Sequence, residues 1–178
     1  MEERFEKQMQ EAIACFKLPE YDTIPDVGLF LEQTTKYISG VLAPLSGVTI
    51  TGSMIANYVK KKLIDNPIKK QYSREQIAYL IFIAIAKSVL SLEDLQVLIE
   101  MQHRTYPAKV AYIYFCKEFE KLLFYTYGIS SNYEMVWVEN SIPKTMLRNT
   151  VIAAVNKVYL DHSISLLREE GFSAPKKD

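Results

Sequence analysis

The chain is poor in most of the residues from which enzymes and metal sites are built. It has two cysteines, Cys15 and Cys116, and two histidines, His103 and His162, in 178 residues. Neither cysteine has a second thiol or imidazole at ligand spacing, so a metal site and a disulfide framework are both excluded as expectations. Both thiols are read as buried, in a cytoplasmic protein. Glycine is scarce, at six residues, and no glycine-rich phosphate loop, nucleophile elbow or HExxH-type motif is present. Glu118-Glu120 and Glu169-Glu170 read as solvated helix faces. With no convergent acid and base, no enzyme and no cofactor are expected. The longest apolar run, Ile77 to Ala86, is too short to cross a bilayer. The first ten residues are charged and lack the apolar stretch of a secretory leader. Net charge is also lacking, since 21 basic side chains balance 21 acidic ones.

What is abundant is apolar and aromatic. Hydrophobic residues make up 49% of the chain, with twelve tyrosines and eight phenylalanines, enough for a substantial core. The charge is unevenly spread. Residues 1–50 carry four basic and eight acidic side chains. Residues 51–74 carry Lys60, Lys61, Lys62, Lys69, Lys70 and Arg74 against Asp65 alone, a net of +5. One basic stretch on a neutral body is the electrostatic footprint of a protein that docks one face on phosphate, although lysines also favour helix C-termini for purely structural reasons.

Helical periodicity accounts for most of the chain. Phe5, Met9, Ile13 and Phe16 predict an amphipathic helix that ends before Leu18-Pro19. Asp26 is placed to cap a second helix with Leu29, Phe30, Thr34, Tyr37, Ile38 and Val41 facing inward, unravelling at Gly40, Pro44 and Gly47. Thr51 predicts the cap of a third helix over about 51–62, with Ile55, Val59 and Leu63 inward and Ser53, Ala56, Asn57, Lys60 and Lys61 outward. Asn66-Pro67 followed by Lys69-Lys70 reads as a basic hairpin. Ser73 and Gln76 have capping-box spacing and open a helix to about Val89, and Ser91 caps another through about Gln102. Pro107 starts an aromatic-rich helix that stops at Gly128, and a last helix runs from about Ile142 to Glu170. Met135 to Val138 reads as a short strand or an irregular packed segment, and the tail from Phe172 as frayed.

The segment Thr51-Gly52-Ser53-Met54-Ile55-Ala56-Asn57-Tyr58-Val59-Lys60-Lys61-Lys62-Leu63-Ile64, followed by Tyr72-Ser73-Arg74-Glu75-Gln76-Ile77-Ala78-Tyr79-Leu80 and Ser91-Leu92-Glu93-Asp94-Leu95, resembles the DNA-binding domain of MerR-type regulators. From about Leu18 to Ile99 the chain is more closely similar to a bacterial family that carries only a domain-of-unknown-function label and is regarded as MerR-like. MerR-type domains place Arg where this chain has Ala56 and Gly where it has Lys62. The resemblance implies a mainly α fold. A winged helix-turn-helix half, residues 1–104, would be followed by a helical C-terminal bundle or dimerisation region, residues 105–178. It implies double-stranded DNA as partner, with helix 51–62 in the major groove and the wing at 65–74 on phosphate. Tyr58 takes a DNA-backbone contact by resemblance alone. The candidate DNA-binding residues are therefore Thr51, Ser53, Asn57, Tyr58, Lys60, Lys61, Lys69, Lys70 and Arg74. Asparagine can pair both edges of adenine, and lysine can reach guanine acceptors. Homodimerisation is expected because helix-turn-helix proteins commonly bind paired half-sites. The aromatic helices leave open a fold-back bundle, a dimer interface or a pocket for a small-molecule effector. The alternative is an all-helical protein-interaction module that does not bind DNA.

Overall fold

The computed structural model describes residues 2–134 and 141–172. Seven α-helices stand among them: α1 (Glu2–Ile13), α2 (Leu31–Leu42), α3 (Gly52–Lys60), α4 (Arg74–Ala86), α5 (Leu92–His103), α6 (Ala108–Thr126) and α7 (Ile142–Glu169). Two short strands, β1 (Leu29–Phe30) and β2 (Gln71–Tyr72), pair antiparallel with Leu29 opposite Tyr72 and Phe30 opposite Gln71. The protein is thus mainly helical with one small sheet. The segment Met135 to Val138, and the tail beyond Phe172, lie outside the described residues.

α4 sits at the centre. Beyond its polar first turn its sequence is apolar on every side, and Ile77, Ala78, Leu80, Ile81, Ile83, Ala84, Ile85 and Ala86 are all buried. A helix without a polar face can only be stable when covered all round, and α2, α6 and α7 each pack against it. Its start is secured as the spacing of Ser73 and Gln76 requires. The Gln76 amide donates to Ser73 Oγ (3.3 Å), and the Ser73 amide donates to Gln76 Oε1 (2.9 Å). Losing such a cap costs about 1 kcal/mol. At the start of α5 the Asp94 amide donates to Ser91 Oγ at 3.1 Å, and the Ser91 hydroxyl donates to the Asp94 carboxylate at 2.7 Å.

The second helix departs from expectation. Asp26 does not cap it; α2 begins at Leu31, because Gly28 turns the chain through the left-handed region (φ 76°) and β2 captures Leu29 and Phe30 as a strand. Gln33 Oε1 then accepts the Phe30 amide at 2.9 Å. The Asp26 carboxylate instead faces Arg74 at 3.7 Å.

The aromatic helix α6 folds back along α7 and closes the bundle over α4. Tyr112, Tyr114, Phe115 and Phe119 are buried, with Phe16 and Phe119 edge to face at 6.1 Å and Phe82 and Phe115 at 5.2 Å. The hydrophobic core runs without a break from Met9 to Val158, across residue 104. Glu118 and Glu120 are not solvated. Glu118 is fully buried and accepts the Tyr133 hydroxyl at 2.7 Å, while half-buried Glu120 accepts the Leu18 amide at 2.7 Å. Burial raises the Glu120 carboxyl above its usual range, against the pull of that amide. Cys15 is exposed rather than buried, and burial pushes the Cys116 thiol up to about 12.

His162 is buried on α7 beside Tyr127, with Nδ1 3.5 Å from the tyrosine hydroxyl. Burial holds its pKa below the ordinary 6.5, opposed by Glu169. Below pH 6.5 the unfolded chain therefore takes up a proton more readily than the folded one, so stability present above that pH is lost as pH falls. Thermal unfolding between pH 7.5 and 5 should show a falling Tm, and His162→Gln should flatten that slope. An unchanged slope in the variant would mean that His162 is not held neutral by the fold.

Candidate functional site

The Thr51 hydroxyl caps α3, accepting the Met54 amide at 3.2 Å. Ile55 and Tyr58 are buried on the inner face and Val59 is half-buried, while Ser53, Ala56, Asn57 and Lys60 form an exposed stripe at helical spacing. The N-terminus of α3 lies against the start of α2, since a Cβ on Gly52 would stand 3.6 Å from the Leu31 side chain. Phe30, one residue before Leu31, pairs with Gln71 of the hairpin. The first turn of α3 and the basic hairpin thus flank the same end of α2.

Tyr58 must be moved out of the site. It is 2% exposed, and its hydroxyl has no hydrogen-bond partner. Burial raises its pKa. In this conformation it cannot reach a phosphate; it is a core residue whose apolar ring matters more than its oxygen.

α3 ends in an unusual way. The Lys62 amide donates to Val59 O (2.9 Å) and the Leu63 amide to Tyr58 O (2.9 Å), the paired bonds of a Schellman motif, with Leu63 and Tyr58 both buried beneath it. Such a motif needs a left-handed residue after the helix. α6 and α7 end with the same bonding pattern and use glycine there, Gly128 (φ 71°) and Gly171 (φ 98°). α3 uses Lys62 (φ 58°). The hairpin repeats the anomaly. The Gln71 amide donates to Ile68 O at 2.9 Å across Lys69 (φ 51°) and Lys70 (φ 64°). Two positive φ values in a two-residue loop define a type I′ turn, whose preferred occupants are Asn-Gly. Among the described residues, the non-glycine positions with positive φ are thus three lysines of one basic stretch. Left-handed geometry costs a side-chain-bearing residue about 1–2 kcal/mol.

The basic side chains divide into two groups. Lys61 forms an ion pair with Glu93 of α5 (3.1 Å), and its carbonyl accepts the Gln96 side-chain amide. Its own backbone amide and Lys61 hold Glu93 below the usual carboxylate range. Arg74 is a strap: its Nε donates to Ile24 O (2.9 Å), and its guanidinium lies 3.9 Å from Asp22, 3.7 Å from Asp26 and over the Tyr21 ring. Both were expected to face phosphate, but in this conformation each is tied to its neighbours. Lys60, Lys62, Lys69 and Lys70 are exposed and make no ion pair among the described residues. Thr51, Ser53 and Asn57 are also exposed. Lys62 was absent from the predicted site, and the signal that could have found it was a lysine in the slot where a helix usually ends on glycine. Around the hairpin stand three exposed apolar side chains, Val27 (83%), Phe30 (50%) and Ile68 (80%). No cluster of three or more His, Cys, Asp or Glu side chains suited to a metal occurs among the described residues.

Replacing Lys62 with Gly, or Lys69-Lys70 with Asn-Gly, should raise the free energy of unfolding by about 1 kcal/mol each, since glycine and asparagine accept left-handed geometry more readily. Urea denaturation measures this, and a lower midpoint in both variants would show that the lysines carry no conformational cost.

No curated protein and no solved structure matches the chain. Residues 19–115 match the family described as Domain of unknown function (DUF1836), a stretch from the residue after Leu18 to Phe115 in α6 that contains the whole basic surface. By that match over more than half of its length, the protein belongs to this family.

Proposed function

We propose that the chain binds double-stranded DNA as a MerR-like winged helix-turn-helix transcriptional regulator. α3 would enter the major groove and the Lys69-Lys70 hairpin would rest on phosphate as the wing. The observation that carries this reading is the trio of left-handed lysines. Conformational strain held at an exposed site is the mark of a site kept for something other than stability, and three cations in that state suit a polyanion. Asn57 and Ser53 supply neutral hydrogen-bonding groups beside Lys60 on the exposed stripe, where base edges would be read. Lysine contacts to phosphate would provide affinity, and the stripe specificity. MerR-type domains carry Arg at the position of Ala56, and in its absence phosphate contact would fall to the lysines.

Binding to a random-sequence duplex, followed by fluorescence anisotropy across a salt titration, tests the reading. Wild type should bind with a steep dependence on salt. A Lys60/Lys69/Lys70→Ala variant should lose about 0.9 from the slope of log K against log salt for each phosphate contact removed. No binding by wild type at low salt would overturn the proposal.

The protein is further proposed to act as a homodimer through the outer face of α7. Met146, Ala153, Leu160 and Leu167 are exposed at seven-residue steps, the spacing of a helix–helix seam. Sedimentation should give twice the chain mass of 20.5 kDa, and Leu160→Glu should give the single-chain mass. A wild-type monomer at high micromolar concentration would exclude this arrangement.

A second reading rests on Val27, Phe30 and Ile68. Exposed apolar side chains beside the hairpin favour a protein partner over DNA at that tip. Under it, Ile68→Ser would abolish binding to the partner, while the lysine variant would retain it.

A further inference from the structure

We infer that the protein holds a small apolar molecule of about single-ring size in a cavity among α4, α5, α6 and the start of α7. This site is separate from the basic surface and does not depend on the DNA reading. The cavity measures about 120 Å³ and its walls are almost wholly apolar, with Phe82 of α4, Leu98 and Met101 of α5, Ala111 and Phe115 of α6, and Leu147 of α7 prominent among them. The pocket is partly open to solvent, and water resting on its apolar walls finds few hydrogen-bond partners there, so an apolar guest of single-ring size displaces that water at little polar cost. A guest of matching shape would add dispersion contacts along this lining that solvent does not supply.

The polar groups at the edge narrow the ligand class. The Tyr79 hydroxyl donates to Gln102 Oε1 at 2.5 Å, and Gln102 Nε2 donates to the Tyr106 carbonyl at 2.7 Å. These three groups are thus engaged with one another at the pocket's edge. The Lys144 ammonium lies over the Tyr106 ring, 5.9 Å from its centroid. Recognition therefore falls to shape and to ring surfaces. Phe82 and Phe115 meet edge to face, fixing an aromatic wall, and unbranched Met101 is the side chain best able to adapt to the guest. The ligand assigned is a neutral aromatic hydrocarbon or a branched aliphatic of comparable bulk, with no polar group that needs a protein partner.

Toluene is the probe. Added to the full chain, it should raise the Tm saturably and shift the NMR methyl resonances of Leu98, Met101 and Leu147. Filling the space with Ala111→Met, or separately with Leu98→Phe, should weaken toluene binding by about tenfold or more, which is at least 1.4 kcal/mol. Two variants are used so that one poorly folded protein does not decide the matter. Toluene saturating without effect on Tm or on those methyl groups would overturn the inference, as would equal affinity in both filled variants.

Discussion

The burial of α4 is the constraint on which everything else depends. From Ile77 to Ala86 the helix has no polar face and must be covered on all sides, and the chain spends α2, α6 and α7 in doing so. The position of α3 follows from that. α2 lies on α4, α3 lies on α2, and the hairpin is fixed between β1 and the Ser73 cap at the head of α4. The polar ties around the hairpin are short and local. Gln76 serves both its own cap and the Asp65 carbonyl, and Arg74 joins the head of α4 to the Tyr21–Thr23 turn. A rigid core therefore presents a strained, cationic surface at one end of a buried helix.

Strain and charge meet there in a way that neither would reveal separately. Exposed lysines alone are unremarkable on a helical protein, and positive φ values alone are common at helix ends. Their coincidence at Lys62, Lys69 and Lys70, with Gly128 and Gly171 filling the same role elsewhere, separates this surface from the rest of the molecule. Lys61 and Arg74 make the contrast sharper, because they have the same charge and are committed to Glu93, Asp22 and Asp26.

Helices were legible wherever local signals sufficed. Thr51, Ser73 and Ser91 mark three helix starts within a residue, because a hydroxyl at an N-cap acts on its own next few amides. Gly128 and Gly171 mark two ends for an equally local reason. What could not be read depended on partners far along the chain. Asp26 has the look of a cap, but Arg74, 48 residues later, claims it. Glu118 and Glu120 look solvated until Tyr133 and the Leu18 amide are brought to them. Tyr58 faces the core because the Schellman turn folds Leu63 beneath it, which depends on a lysine accepting a glycine's geometry. In the candidate site, the cations were legible as a group, but which of them are engaged was not.

The continuous core gives the family boundary an unexpected meaning. The stretch that matches the family stops at Phe115, about midway along α6, whose next turns carry Phe119, Leu122 and Leu123 into the same core. The matched stretch is therefore not what packs as a unit in this chain. Residues 19–115 leave one flank of α4 to be roofed by whatever sequence follows, here the rest of α6 and α7. The basic surface thus lies wholly inside the matched stretch, while much of the roof over its central helix comes from outside it.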